Sequence, residues 1–411
     1  MDLAGTVAPA KASVVAPAKA SVVAPAKAGA QSPASSLLRA ARLGLVLACM
    51  FALEAAAAEL AASGLQELVR GIRETRHIPA IAVMVQEHGR IESAVVGVRA
   101  LGHPEPATLD DQWHIGSDTK AFTATLIARL AEKGVLALDD TLERALPALA
   151  GAMHPGYRKV TLAQILTHTA GFPALVDPAD LPEFRRVIAA ADNVVAQRAA
   201  IARHYLSQPP GSPAGTFAYS NLDYIVAGAI AEAHTGLAWE ELMEREVFAP
   251  LGIRHAGFGP PGTPGRVDEP HGHELSGGAL VPIDPADPDA DNPPALGPAG
   301  TLHITLADWM RFAQEHLAGM HGRGTLLSPA TYRRVHTPVA GYALGWGSLM
   351  GPRGEPLVVA HTGSNGNWLA DIRIDARNDS IVLIAMNAAG PEAHLALDEL
   401  KKQLVKRTGA H

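Results

Sequence analysis

Short β-rich runs sit at both ends of this chain with a long helix-patterned stretch between them, and that arrangement limits the fold more than any other feature. "IPAIAVMVQEHGRIESAVVGVRA", residues 78–100, reads as two strands joined at His88-Gly89-Arg90. "YALGWGSLM", "PLVVAHTG", "WLADIRID" and "SIVLIAMNA" come only after residue 341, with Asn378-Asp379 as a turn. Strands so far apart in sequence share one core only if they join a single antiparallel sheet interrupted by an insertion. The expectation is an α/β fold: an antiparallel sheet flanked by helices, plus a helical subdomain. The sheet part would take residues 59–138 and 318–411, and the helical part residues 139–317. Helical spacing over 59–74 and in "PEAHLALDELKKQLVKRT" adds an opening and a closing helix.

Residues 1–36 contain an Ala/Pro/Val/Lys repeat that cannot build a core and is read as disordered. Residues 37–58 carry Arg39 and Arg42, an apolar run from Leu43 to Leu53, then small residues, the order of a secretory signal peptide. The run is too short for the roughly 20 residues a membrane span needs. Export to the periplasm or the extracellular space is the expectation, with lipidation at Cys49, the single cysteine, as the other route to a membrane. A net charge of -7 offers no basic excess for nucleic acid. Oligomeric state is not encoded legibly.

Three stretches could carry chemistry. In "WHIGSDTKAFTATLIARLAEKGVL", residues 113–136, Phe122, Leu126 and Leu130 mark a helix whose buried stripe ends near Gly134. Ser117 and Lys120 stand three apart at its start, on one face. A lysine partly desolvated at a helix N-terminus loses its proton more readily and could activate the serine as a nucleophile. A serine N-cap beside an exposed lysine fits the same letters. In "PPGSPAGTFAYSNLDYIVAGAIAEAHTG", residues 209–236, Tyr219 and Asn221 project to one side of an extended entry segment. A phenol can relay protons and a carboxamide can hold a substrate amide; a core aromatic and an N-cap are the plainer reading. In "VVAHTGSNGNWLADI", residues 358–372, His361 and Gly363 face one way at a strand end, and the Ser364 amide could point at an oxyanion with that of Ser117. Here the alternative is a strand running into a turn.

In this order the three stretches resemble the serine β-lactamase and penicillin-binding-protein superfamily, within it the class C β-lactamase, D-alanyl-D-alanine carboxypeptidase and esterase branch. S-x-x-K is Ser117 to Lys120, Y-x-N is Tyr219 to Asn221, and the K/H-T-G strand is His361 to Gly363. "ILTHTAGFP" and "LGPAGTLHITLADWMRFAQ" also look like the family. The resemblance implies a β-lactamase/transpeptidase-like fold and acyl-enzyme chemistry on an ester, peptide or β-lactam, without metal or cofactor. Ser117 would attack, and Lys120 and Tyr219 would share the proton work. Asn221 would orient the substrate, His361 and Thr362 would bind its carboxylate or tune Tyr219, and the Ser117 and Ser364 amides would hold the oxyanion. Histidine where class C β-lactamases carry lysine weakens the case for an anionic β-lactam, so an esterase, amidase or peptidase is expected first. A non-catalytic scaffold on the same fold is the rival of another class. His271 and His273 in "PHGHEL" lack companions at ligand spacing and are expected in a loop, not at a metal. His168 is expected to stabilise a turn, Trp368 to be core, and Asn292 to Gly300 could line a cleft rim.

Overall fold

The computed structural model describes residues 64–176 and 181–409. The expected disordered repeat, the signal peptide and Cys49 lie outside the described residues. In chain order the strands are β1 (Ala80–Glu87), β2 (Arg90–Gly97), β3 (Gln112–His114), β4 (Ala256–Phe258), β5 (His273–Ser276), β6 (Ala279–Pro282), β7 (Leu302–Thr305), β8 (Gly347–Met350), β9 (Pro356–Ser364), β10 (Leu369–Asp375) and β11 (Ser380–Met386).

Six of them form one antiparallel sheet in the order β2-β1-β11-β10-β9-β8. The N-terminal hairpin is thus zipped onto the C-terminal meander, as the spacing of the strands predicts. Side chains alternate across the sheet. Ala80, Ala82, Ile381, Leu383, Ile372 and Ile374 enter the larger core, while Ile81, Val83, Val382, Ile384 and Met386 enter a second one. Cover on both faces explains why these strands read as unbroken apolar runs instead of an alternating pattern. His88 (φ 48°) and Gly89 (φ 81°) make the hairpin turn, and Asp379 (φ 46°) the next one.

The second core lies under two terminal helices, α1 (residues 64–76) and α5 (Pro391–Arg407), which bury Leu65, Val69, Ile72, Leu397, Leu400 and Leu404. The larger core lies between the other face and α2 (Thr119–Glu132), α3 (Asn221–Thr235) and α4 (Leu306–Met320). Helix α2 departs from the expected single stripe. Ala121, Thr123, Ala124, Thr125, Ile127 and Ala128 are buried along with Phe122, Leu126 and Leu130, so the helix is central and enclosed nearly all round. Phe122 stacks on Phe312 of α4 at 3.6 Å between ring centroids. Gly134 (φ 71°) stops the helix where a left-handed residue is needed.

The stretch expected to be mainly helical also contains strands. Its β4 and β7 join β3, from the part expected to be sheet, in a small antiparallel sheet, and β5 and β6 form a hairpin. Three- and four-residue strands are defined by their pairing partners, which composition does not reveal. This small sheet matters, because β3 leads into the turn that carries Ser117. Among the described residues no helix is long and apolar enough to cross a membrane.

Candidate active site

The turn after β3 is built for close backbone approach. Gly116 (φ 50°) opens a one-turn 3-10 segment, Gly116–Asp118, that runs into α2. A Cβ on Gly116 would lie 2.4 Å from the Ser364 amide nitrogen, and one on Gly363 would lie 2.0 Å from the Ile115 carbonyl oxygen and 2.7 Å from the Ser117 nitrogen. Two glycines therefore let the Ser117 turn and the end of β9 touch backbone to backbone.

Ser117 and Lys120 do share a face. The Lys120 ammonium, fully buried, donates to Ser117 Oγ at 2.9 Å, Asn221 Oδ1 at 2.8 Å and the Ala299 carbonyl at 2.7 Å. No carboxylate touches it directly among the described residues, so burial is uncompensated and lowers the amine from 10.5 to about 7. Asp118 and Asp223 oppose that shift at a distance, yet burial pushes both carboxyls well upward, toward the uncharged form. The neutral amine has two N–H groups and one lone pair. The Ala299 carbonyl can only accept, and Asn221 presents its carbonyl oxygen because its Nδ2 already donates to the Leu175 carbonyl at 2.6 Å. The lone pair is left facing the Ser117 hydroxyl.

The second stretch enters α3. Ser220, not Asn221, is the N-cap, its Oγ accepting from the Leu222 amide. That frees Asn221 to reach Lys120. Tyr219 lies beside Ser117, and burial pushes the phenol above its ordinary range. The Lys120 Nζ sits 5.0 Å from the Tyr219 ring centroid. Beneath them His168 (φ 54°) does more than stabilise a turn. Its Nδ1 meets Asp223 Oδ2 at 2.7 Å, and its ring lies 4.3 Å from that of Tyr219. Burial drives the imidazole down and the Asp223 carboxyl up, so both favour their uncharged forms.

The third stretch splits across β9. His361 turns inward, with Nδ1 at 3.0 Å from Asp118 Oδ1 and Nε2 at 2.9 Å from the Tyr342 hydroxyl. Burial lowers the imidazole to about 3 and raises Asp118, which favours an uncharged pair. Both ring nitrogens are occupied inside the protein and neither contacts Tyr219, so a role as carboxylate anchor or as tuner of Tyr219 is not what this arrangement offers. Thr362 is on the far face. Its hydroxyl donates to Asp371 Oδ2 at 2.5 Å, and Lys401 of α5 reaches the same oxygen at 2.6 Å. Thr362 is accordingly corrected from a substrate contact to part of an outer ion pair. The Ser364 side chain donates to the Trp368 carbonyl at 2.6 Å, leaving its backbone toward the Ser117 turn.

A cleft of about 310 Å³ opens on Ser117, Asn221 and Ser364. Leu175, Val176, Leu181 and Leu296 give it an apolar wall, and Asn292, Ala299, Gly300 and Asn365 form the rim. The segment from Asn292 to Gly300 thus lines the cleft, as its sequence suggested. Gly228 of α3 draws that segment in, since a Cβ there would come within 2.5 Å of Pro298. The described lining contains no lysine or arginine. His271 Nε2 pairs with the Arg266 carbonyl and His273 with the Asn387 carbonyl and the Leu101 amide. Among the described residues no group of three or more His, Cys, Asp or Glu side chains is placed to hold a metal ion. Asp118, Asp223, Tyr342 and the Ala299 carbonyl escape sequence reasoning. An aspartate inside the apolar "GSDTKAF" stretch is the one signal that could have found Asp118.

This fold and this Ser-Lys-Tyr geometry define the serine β-lactamase and penicillin-binding-protein superfamily. The Beta-lactamase family model matches residues 65–406, and the chain belongs to that family. Penicillin-binding protein 4 of Amycolatopsis lactamdurans is 29% identical over 322 residues, covering 75% of this chain and 81% of that protein. The crystal structure of SurE superposes with a TM-score of 0.65 at 25% identity, over 86% of this chain and 77% of SurE. A class C β-lactamase from Rhodobacter sphaeroides shares the fold with a TM-score of 0.64 at 21% identity, over 84% of this chain and 99% of that one.

Proposed function

We propose that this chain is an exported serine hydrolase that forms an acyl-enzyme on esters or amides, with esterase- or peptidase-like substrates ahead of β-lactams. One observation carries the reading: the Ser117 hydroxyl lies 2.9 Å from a buried amine brought to about 7, whose other partners are acceptors only. At neutral pH a large fraction of that amine is free base, aimed at the hydroxyl proton. Ser117 Oγ attacks the substrate carbonyl as its proton passes to Lys120. The Ser117 and Ser364 amides face the developing oxyanion. Tyr219, held protonated by burial beside Ser117, relays a proton to the departing alcohol or amine. Water then attacks the acyl-serine by the same route and releases the acid.

Charge supports neutral substrates. His361 is uncharged and internally bonded, and no lysine or arginine lines the described cleft, so a β-lactam or D-alanyl-D-alanine carboxylate finds no cationic anchor. The apolar wall suits an apolar acyl group. Kinship with penicillin-binding protein 4 keeps a D-amino-acid peptidase or true β-lactamase as the second reading. Export rests on Arg39, Arg42 and the run from Leu43 to Leu53. N-terminal sequencing of protein from the periplasm or medium tests it, and a cytoplasmic, uncut chain overturns it.

Intact mass after exposure to a fluorophosphonate, a short-chain p-nitrophenyl ester and a penicillin tests the chemistry. The expected result is a fluorophosphonate adduct that Ser117→Ala loses, with ester turnover exceeding penicillin turnover. Folded protein that gives no adduct with any probe overturns the hydrolase and promotes the scaffold.

A further inference from the structure

The two amides assigned to the oxyanion belong to segments remote in sequence, and a hydrogen-bonded chain of side chains spans them. The Gly116 amide, next to Ser117, donates to His114 Nδ1 at 3.2 Å. That fixes the neutral tautomer: Nδ1 accepts, so Nε2 carries the hydrogen and donates to Asp291 at 3.0 Å. Asp291 Oδ1 then receives Asn365 Nδ2 at 2.8 Å and the Asn292 amide at 2.7 Å. Asn365 directly follows Ser364, and its Oδ1 accepts from the Asn367 and Trp368 amides at 3.1 Å each. His114 is fully buried and the Asp291 side chain is 4% exposed, so these bonds are shielded from water and costly to leave unmade. The Asp291 carboxylate is linked through His114 to the Ser117 turn and through Asn365 to the Ser364 turn.

We propose that His114, Asp291 and Asn365 act as a strap of positioning residues that fixes the separation of the Ser117 and Ser364 amides. This rests on the hydrolase reading above for its catalytic consequence, but its mechanical consequence stands alone. An oxyanion hole works only if its donors are already in place when charge develops, and loss of one donor costs roughly 10²–10³ in kcat. His114 and Asp291 neither line the cleft nor touch Ser117 Oγ, whereas Asn365 stands on the rim with both side-chain ends engaged inside the protein. Cutting the strap at His114 or Asp291 should therefore lower kcat while leaving KM nearly unchanged.

The variants are Asp291→Ala, Asn365→Ala, the double substitution, and His114→Asn, which keeps an acceptor near the Gly116 amide but loses the link to Asp291. Expected on a p-nitrophenyl ester is a loss of about ten- to a hundredfold in kcat for each. The double variant should be no worse than the poorer single one, because a strap cut twice is still one cut strap. Affinity for an alkylboronic acid, which places a tetrahedral hydroxyl in the hole, should fall by the same factor as kcat. Hydrogen exchange, read on peptides covering 113–118 and 363–368, should speed up in both segments in every variant. A kcat within twofold of wild type in folded protein, a rise in KM alone, or additive losses would overturn the proposal. If the wild-type protein proves not to be a hydrolase, exchange decides: unchanged protection in either segment sinks the strap, and faster exchange in both upholds it.

Discussion

The two sides of β9 hold one lysine each, and the contrast between them shows how burial without a counter-ion makes a base while burial beside one makes a brace. On the inner side Lys120 is fully buried and meets a hydroxyl, an amide oxygen and a carbonyl oxygen. On the outer side Lys401, about a third exposed, closes on the buried carboxylate of Asp371 at 2.6 Å, with Thr362 on the same oxygen. The inner carboxyls that could have neutralised Lys120 are committed elsewhere: Asp118 to His361 and Asp223 to His168. Withholding an ion pair is what lowers the inner amine.

Lys120→Met attacks that contrast most directly and should lower kcat on an ester by about 10³-fold. In the wild type, kcat/KM should rise with pH through about 7, since the protonated amine cannot take the Ser117 proton and the free base can. The same shift has a stability signature. Between about 7 and 10.5 the unfolded lysine binds a proton that the folded one does not, so its destabilising effect is full below 7 and fades toward 10.5. The Tm gain of Lys120→Met should therefore be larger at pH 6 than at pH 9.

Gly363→Ala tests the backbone contact instead of the base. A methyl group 2.0 Å from the Ile115 carbonyl oxygen must push the Ser117 turn away from β9. A displacement of that order should cost about a hundredfold in kcat, and overpacking about 1–3 kcal/mol in stability by denaturant titration. An unchanged kcat would mean that the contact is not what holds the site. A smaller effect is expected at His361. Burial drives it to about 3, so acidifying from pH 7.5 to 5.5 should not lower KM for a penicillin, as a newly cationic anchor would. On the outer face, Lys401→Met and Thr362→Val should leave kcat within about twofold. Lys401→Met leaves Asp371 unpaired and should lower stability by about 1–3 kcal/mol. A large kcat loss in either would erase the distinction between the faces.

What the sequence made legible is what depends on local spacing. Three-residue separation puts Ser117 and Lys120 on one helical face whatever surrounds them, and the alternation of β9 puts His361 and Gly363 together. That same alternation sends Thr362 to the opposite side, so parity contradicts the role its motif suggests. The sheet was legible because its strands are apolar on both faces. β3, β4 and β7 were not, being too short to carry a pattern of their own. The Ala299 carbonyl on Lys120 has no letter in the sequence at all, since every residue owns a carbonyl. Nor do the partners of His361 follow from its motif: Asp118 and Tyr342 reach it through tertiary packing alone.

The backbone contact at Gly116 and Gly363 also ties chemistry to the order of events in folding. Ser117 and Lys120 emerge early from the ribosome, but the strand that completes their site belongs to the C-terminal meander, whose last strand, β11, pairs with β1 of the N-terminal hairpin. Such long-range closure comes late and slowly. A chain still being made, or cut before β9, holds Ser117 and Lys120 without the backbone contact from Gly363 and Ser364. On the proposed hydrolase reading, turnover would be deferred until both ends have met and would report on a finished molecule.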